Sequence, residues 1–373
     1  MKIGILTIPP HTNFGGILQS YALQTVLERM GHEVWIIDRD PFWHLSWQKK
    51  MICYPKRILQ HYLLGKKNIK VFTEDYERKV RPIIRQHTDK FINKYLHMLP
   101  IENYEDLSEN KFFDAYVVGS DQVWRPSYMP QIENAFIAFD KRDNLPIIAY
   151  AASFGVDTWE YNPEQTEICK ELVKRFCFVS VREDSGRDLC KNYLGVDAKW
   201  VLDPTMLLSV DDYKQLVDNS DMPKCAGNLM VYILDQTSAT TAVIDKLVQE
   251  KSLKPFVKNG KVDNFHAPLE QRIQPPVESW LRGFMDSEII ITDSFHACVF
   301  SILFHKQFLV VCNKKRGLSR FKSLLRMFGL ESHIVSDVEK ISYHQMPTTN
   351  WRKVDEILAN KRKEAMDIIS HFF

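Results

Sequence analysis

The sequence predicts an α/β protein with two domains. Short apolar runs of strand length alternate with segments whose apolar residues recur at helical spacing, a pattern typical of strand–helix–strand units and a parallel sheet. The runs end in glycine or polar residues, and in open α/β sheets that edge is where ligands bind. The alternation restarts after Asp203-Pro204-Thr205 in a chain of 373 residues, whereas a domain usually holds about 100–200 residues. We therefore predict two α/β domains that face each other across a cleft.

The first domain is predicted to span residues 1–205. It begins with a buried strand, a loop of helix-breaking residues, and a helix whose apolar positions run from Leu23 to Met30. Gly31 is placed to end that helix. The predicted strands are 2–8, 33–38, 115–118, 146–152, 178–181 and 200–202, and the later helices are 163–175 and 185–194.

The second domain is predicted to span residues 206–349, followed by a terminal helix within 350–373. Its predicted strands are 228–234, 254–257, 288–292 and 307–312. Its predicted helices are 239–250, 277–286, 295–305 and 319–329, and the terminal helix runs over 354–370. Residues 41–110 depart from the alternation and are interpreted as an insertion in the first domain.

Composition excludes several classes of function. The net charge of +2 gives no overall field that would favour nucleic acid as a partner. The seven cysteines have no metal-like spacing, so we predict no metal site and the reduced thiols of a cytosolic protein. The first apolar run is too short for a signal peptide, and no stretch approaches the ~18 apolar residues of a membrane span. The expected location is the cytoplasm, with peripheral membrane contact left open.

The segment 41–73 is basic and aromatic. Trp43 and Trp47 stand beside its cations, and it contains no Asp or Glu. Two interpretations remain open, a solvated face of an insertion and a surface that contacts a membrane or a polyanionic head group. The second predicts weak, salt-sensitive binding to anionic vesicles. The seven cations are Lys49, Lys50, Lys56, Arg57, Lys66, Lys67 and Lys70.

One histidine stands at the start of a hydrophobic helix. Ser294 or Asp293 is placed to cap the helix that begins after the strand 288–292, so His296 falls in its first turn. The helix macrodipole there favours a neutral ring, whereas an anion bound at the same end favours the imidazolium. Such a histidine can exchange a proton with an anionic substrate. Spacing alone does not distinguish this interpretation from that of a core histidine hydrogen-bonded to a backbone carbonyl.

Five motifs in order resemble the polysaccharide pyruvyl transferase family. They are VVGSDQVW, YAASFG, VSVRE, VLDPTML and ITDSFHA, and the similarity runs from NFGGILQSYALQ to FKSLLRMFGL. The resemblance implies a GT-B-like fold of two Rossmann-like domains, with the terminal helix crossing back to the first. It also implies transfer of an enolpyruvyl unit from phosphoenolpyruvate to two hydroxyls of a sugar, as a cyclic ketal with release of phosphate. No further cofactor is implied, and the acceptor would be a sugar or a lipid-linked oligosaccharide of a surface-polysaccharide precursor.

The resemblance places roles on individual residues. The family's helix-start histidine falls on His296, which we expect to be the acid that protonates the methylene carbon. The arginine of VSVRE falls on Arg182, expected to bind phosphate or carboxylate. The Arg-Leu pair that often precedes the histidine is replaced by Ser294-Phe295, so another cation must supply that charge. Arg316 and Arg320 are the candidates, and a solvated basic turn is the alternative.

Further candidates lie in the loops after the strands. Asn13, Gly15 and Gly16 open the first helix and are predicted to hold an anion or a sugar, with a tight turn as the alternative. Asp121 is a candidate base or sugar ligand, with turn capping as the alternative. Ser153 and Ser294 are candidate substrate contacts that would otherwise cap a turn or helix. His11 and His266 have no supporting constellation and are expected at the surface.

Two other functions stay open beside the pyruvyl transferase. A nucleotide-sugar glycosyltransferase could share the architecture, and a non-catalytic member could bind glycans or scaffold an assembly pathway. A response of the His296 region to phosphoenolpyruvate but not to nucleotide sugars would distinguish the first two. Stability without a response to either ligand would favour the third.

Overall fold

Two parallel sheets form the core of the computed structural model, which describes residues 1–39, 47–63, 71–311, 318–335 and 342–373. The strands are β1 Lys2–Leu6, β2 Glu33–Asp38, β3 Met98–Pro100, β4 Ala115–Val118, β5 Ile147–Ala152, β6 Phe178–Val181, β7 Lys199–Trp200, β8 Leu229–Tyr232, β9 Pro255–Val257, β10 Ile289–Thr292 and β11 Gln307–Val310. Within these residues a seven-stranded sheet has the order β3-β2-β1-β4-β5-β6-β7, and a four-stranded sheet has the order β11-β10-β8-β9. The predicted α/β class with two Rossmann-like, GT-B-like domains is confirmed.

Helices connect and cover these strands. Most lie where helical spacing predicts them, and Gly31 follows the first helix with φ of 91°, a conformation that glycine adopts at little cost. The helices are α1 Phe14–Arg29, α2 Trp47–Ile58, α3 Thr73–Tyr95, α4 Glu105–Glu109, α5 Pro163–Val173, α6 Asp184–Leu189, α7 Val210–Asp218, α8 Ser238–Lys251, α9 Leu269–Arg272, α10 Val277–Asp286, α11 Phe295–Leu303, α12 Leu318–Phe328 and α13 Trp351–Phe372.

The region interpreted as an insertion contributes to the first sheet. Strand β3 pairs in parallel with β2 and extends the edge of the sheet, so residues 98–100 belong to the sheet itself. Helix α3 buries Phe91 and Ile92 in the hydrophobic core. A single turn of π-helix, Leu59–Leu63, continues α2. No helix among the described residues is long and apolar enough to cross a membrane.

The C-terminal helix contacts both sheet regions. At its start Trp351 stacks on His305, with ring centroids 4.9 Å apart. At its end Phe372 packs against Phe178 of the first sheet, with centroids 5.5 Å apart. These contacts agree with a helix that crosses back, and the boundary near residue 205 stays a prediction.

The two sheets meet through a shared hydrophobic core. Phe14, the first residue of α1, stacks on Trp280 of the second region at 5.4 Å between centroids. Strand order reverses between β1 and β4 in the first sheet and between β8 and β10 in the second. Ligands in open parallel sheets bind at such switch points. The fold therefore brings α1, after β1, and α11, after β10, to the same cleft.

Candidate functional site

His296 lies against the first turn of α1. A Cβ atom added to Gly15 would lie 2.0 Å from Nδ1 of His296, a distance that no real side chain could occupy. The His296 residue is 6% exposed, at the second position of α11. Glycine at position 15 is therefore what allows the imidazole to enter the cleft, and the structure joins two motifs that are far apart in the sequence.

Arg182 is held between two carboxylates just after β6. Its Nη1 donates to Oδ2 of Asp203 at 2.8 Å, and its Nη2 donates to Oδ1 of Asp121 at 3.1 Å. The Arg182 side chain is 1% exposed, and its guanidinium lies 4.3 Å from the centroid of the Phe295 ring. Asp121 and Arg182, both predicted site residues, are thus in direct contact.

Asp203 connects the arginine to the histidine. Its Oδ2 lies 3.6 Å from Nε2 of His296, and that nitrogen is 3.5 Å from Nη1 of Arg182. The other oxygen of Asp203 accepts hydrogen bonds from the backbone N–H and the hydroxyl of Thr205. The carboxylate is therefore fixed on both sides, and it presents one oxygen to His296 and Arg182.

Both carboxylates remain strongly acidic despite their burial. Burial alone would raise the pKa of Asp203, but His296, Arg182 and Thr205 outweigh that effect and hold the pKa below its usual range. Burial would likewise raise the pKa of Asp121, and the charges of Arg182, His296 and Arg320 lower it below the usual value. Both side chains are therefore charged at neutral pH, and neither is a strong base.

Arg320, on α12, adds a second buried cation. The residue is 9% exposed. Burial and the charge of Arg182 lower the pKa of Arg320 to about 10, and the acidic groups Asp121 and Glu183 act in the opposite direction. Two guanidinium groups therefore lie close enough to repel each other at the same cleft. A bound dianion or trianion would offset that repulsion.

Three predicted substrate contacts already have partners within the protein. Asn13 caps α1, and its Oδ1 accepts from the backbone N–H groups of Gly15 and Gly16. Ser294 caps α11 by accepting from the N–H of Ala297 at 3.5 Å. The hydroxyl of Ser153 donates to Oε1 of Glu183 at 2.9 Å. The structure therefore assigns each of these polar side chains a capping or loop-ordering contact.

Two further residues at the site received no role from the sequence. Asp203 falls within the DPT motif, and Glu183 is the acid of VSVRE. Besides Ser153, Glu183 accepts from the N–H groups of Phe154 and Gly155, so it orders the loop after β5. Both acids follow strands that had been predicted, and an acid directly after a strand was the signal that could have found them.

The remaining predicted residues lie apart or outside the described part of the chain. Arg316, Trp43, Lys66, Lys67 and Lys70 fall outside the described residues. The expectation that His11 lies at the surface is wrong, because its side chain is only 14% exposed.

His266 is exposed, as predicted. Among the described residues, no group of three His, Cys, Asp or Glu side chains is arranged to hold a metal ion.

The fold and this site define a two-domain α/β protein with a charged cleft in which a histidine, two carboxylates and two arginines converge. The family model for polysaccharide pyruvyl transferase matches residues 13–314. The chain therefore belongs to the polysaccharide pyruvyl transferase family, a family of transferases. No curated protein matches the chain.

Solved structures give distant similarities over the whole length. UDP-GlcNAc 2-epimerase from Neisseria meningitidis, bound to UDP-GlcNAc, is 11% identical, with a TM-score of 0.47, and the match covers 100% of this chain and 99% of that one. The glycosyltransferase SnogD from Streptomyces nogalater is 10% identical, with a TM-score of 0.44 and coverage of 100% and 99%. Similarity at this level does not identify a substrate for this chain.

Proposed function

We propose that this protein transfers an enolpyruvyl unit from phosphoenolpyruvate to a sugar of a surface-polysaccharide precursor and forms a cyclic pyruvate ketal. The observation that carries the proposal is the position of His296, whose Nε2 faces Asp203 and Arg182 where two helix N-termini meet. Membership of the family supports a sugar or polysaccharide acceptor.

The chemistry needs an acid beside an anion site. A proton added to the methylene carbon of phosphoenolpyruvate makes C2 electrophilic, and a sugar hydroxyl then bonds to C2 and releases its proton. The C2–O bond to phosphate breaks, phosphate leaves with the electron pair, and a second hydroxyl bonds to C2 and releases its proton. The product is a ketal with a methyl and a carboxylate group. We assign the first proton to His296, which Asp203 orients.

We propose different roles for Arg182 and Arg320, whereas the sequence predicts that both bind the anionic donor. Arg182 has two carboxylates as partners, so we propose that it positions Asp203 and His296 and reaches the donor only at its edge. Arg320, whose pKa is lowered by burial and by Arg182, gains most from a bound anion. Arg316 remains a candidate ligand from the sequence.

We propose that Asp121 belongs to the site as a charge-balancing group and not as the base. Its lowered pKa makes it a weak base, and its contact with Arg182 favours a charge-balancing role. The base for the sugar hydroxyl would then be a phosphate oxygen of the donor or His296 after it has given up its proton.

We further propose that the acceptor is lipid-linked and that the protein works in the cytoplasm at the inner face of a membrane. The basic composition of residues 41–73 supports peripheral contact there. An enzyme that modifies a lipid-linked sugar must reach the bilayer surface.

The test is phosphate release from phosphoenolpyruvate in the presence of lipid-linked and free sugar acceptors. The proposal predicts acceptor-dependent release by the wild type and loss of release in His296→Asn. Nucleotide sugars with the same acceptors serve as the comparison, because sugar transfer from them with no phosphate release from phosphoenolpyruvate would contradict the proposal.

A further inference from the structure

Helix α2 and the turn that continues it carry an exposed apolar stripe. Large apolar side chains recur at the spacing of one helical face, and they point to solvent. Ile52 is 72% exposed and Leu63 is 75% exposed, whereas Leu247 in the core is completely buried. The stripe consists of Met51, Ile52, Pro55, Ile58, Leu59, Tyr62 and Leu63.

The other face of the same helix rests on the protein. The ring of Tyr54 packs edge-on against Phe72, with centroids 5.1 Å apart. Arg57 donates to the carbonyl of Val71 at 3.4 Å. The orientation of α2 is therefore fixed by residues on its inner face, and the stripe is the outward face.

Lysine stands beside the stripe. At 100° per residue, the exposed Lys56 projects along one border, Lys50 lies beyond the other border, and Arg57 belongs to the inner face. No acidic residue occurs from 41 to 73, so the surface has no internal counter-charge in its own segment. An apolar face with lysine beside it, in a segment that has no acid, is typical of a helix that lies in the plane of a membrane interface.

We infer that this helix, residues 47–63, binds the surface of an anionic bilayer with its apolar stripe at head-group depth. The occupant follows from charge complementarity, because a partner for this surface must be apolar at the centre and anionic at its border. The inference deepens the proposed function, since it names the bilayer as the surface where a lipid-linked acceptor would be met. Its chemistry does not depend on the transfer reaction.

The experiment is co-sedimentation of the full chain with vesicles of phosphatidylcholine alone and of phosphatidylcholine with phosphatidylglycerol. We expect binding to the anionic vesicles that weakens as salt rises and far less binding to the neutral ones. The triple variant Ile52→Ser, Leu59→Ser, Leu63→Ser should lose binding. Lys50→Glu with Lys56→Glu should weaken it by at least about fivefold for each residue.

A matched control uses apolar side chains that are equally exposed elsewhere. Val257 is 63% exposed and Phe265 is 49% exposed, and both lie in the second sheet region. Val257→Ser with Phe265→Ser should bind vesicles like the wild type. Because these side chains are largely exposed, their loss should change the thermal unfolding midpoint only slightly.

The outcomes separate the possible occupants. Equal binding to neutral and anionic vesicles would overturn the inference, as would binding that survives the triple variant. Wild-type protein that stays in the supernatant would overturn it too, and a dimer in light scattering that the triple variant abolishes would then assign the stripe to a second copy. Phosphate release with a water-soluble acceptor should be unaffected by the triple variant, so the inference and the proposed function can fail separately.

Discussion

Two buried arginines, Arg182 and Arg272, sit between the sheet regions and differ in how completely the protein satisfies them. Arg272 of α9 bonds both oxygens of Glu77 on α3, at 3.0 and 2.8 Å, and its Nε donates to the carbonyl of Val262. Arg182 bonds one oxygen each of Asp121 and Asp203, and its Nε has no partner among the described residues.

We interpret the difference as one between a structural contact and a candidate ligand-binding group. Arg272 and Glu77 form a closed pair of one cation and one anion, with every guanidinium nitrogen engaged. Arg182 belongs to an open group in which Arg320 adds a second positive charge and His296 adds a titratable ring. Buried pairs of the first kind hold elements together, whereas open groups with competing charges are typical of sites that bind ligands.

The largest effect should come from removing either arginine. Arg182→Met leaves two buried carboxylates without their arginine partner, and Arg272→Met leaves one. Breaking a buried ion pair costs about 3–5 kcal/mol. Urea unfolding should show a large loss for both, at least as large for Arg182→Met. Turnover per folded molecule should vanish only in Arg182→Met. Full turnover in that variant, or its loss in folded Arg272→Met, would break the distinction.

The next effect concerns the glycine that admits His296. In Gly15→Ala the new methyl group would clash with the imidazole, so we expect displacement of the ring and a fall in turnover of about 100-fold. Gly16→Ala is the matched control, because its Cβ would lie 3.7 Å from that of Asn13, an ordinary contact. Equal turnover in the two variants would mean that the position of His296 does not matter.

A smaller effect should follow from loss of the second cation. Arg320→Met removes the second buried cation of the cleft, beside Arg182. The affinity for phosphoenolpyruvate should fall by about 10- to 100-fold, as expected for a lost charged hydrogen bond. Arg326→Met on the same helix is the control, since Arg326 pairs with Asp184 at the surface. Unchanged donor affinity in Arg320→Met would assign the anion site elsewhere.

The smallest effect is a dependence of stability on pH. Burial and the positive charges of Arg85 and Arg81 lower the pKa of His11 to about 3, although Oδ1 of Asp38 lies 3.8 Å from its Nε2. The unfolded chain binds a proton near pH 6.5 and the folded chain does not, so the free energy of unfolding falls as pH drops below about 6.5.

The loss between about pH 7.5 and 5.5 should be about 1 kcal/mol. It should disappear from urea unfolding curves of His11→Gln. The exposed His266, replaced by Gln, should leave it in place. A loss that persists in His11→Gln would assign the pH dependence to other groups.

The sequence predicts the strands well and the insertion poorly. Runs such as 115–118 and 178–181 are short, apolar and bounded by polar residues, so their limits match the strands β4 and β6. Helix α3 is not predicted, although Val80, Ile84 and Phe91 recur at helical spacing, because Pro82 stands within the segment and proline usually interrupts a helix. Strand β3 has three residues and ends in proline, which is too little pattern to predict a strand.

The sequence predicts individual residues of the candidate site but not their contacts. His296 is singled out as a histidine at the start of a hydrophobic helix and Asp121 as an acid after a strand, whereas Arg182 comes from the resemblance to the family. The pairing of Asp203 with His296 and of Arg182 with two acids depends on how the two sheets approach each other, which local patterns do not encode. The roles of Asn13 and Ser153 depended on which neighbour accepts or donates, and that too follows from tertiary structure.

The most direct test is transfer in D₂O, with the wild type compared with His296→Asn at saturating phosphoenolpyruvate. The wild type should place one solvent deuterium in the methyl group of each ketal. The variant should turn over about 10²- to 10⁴-fold more slowly while its donor affinity stays near that of the wild type, because the lost interaction is made in the transition state. Near-normal turnover by His296→Asn would contradict the assignment of His296 as the acid.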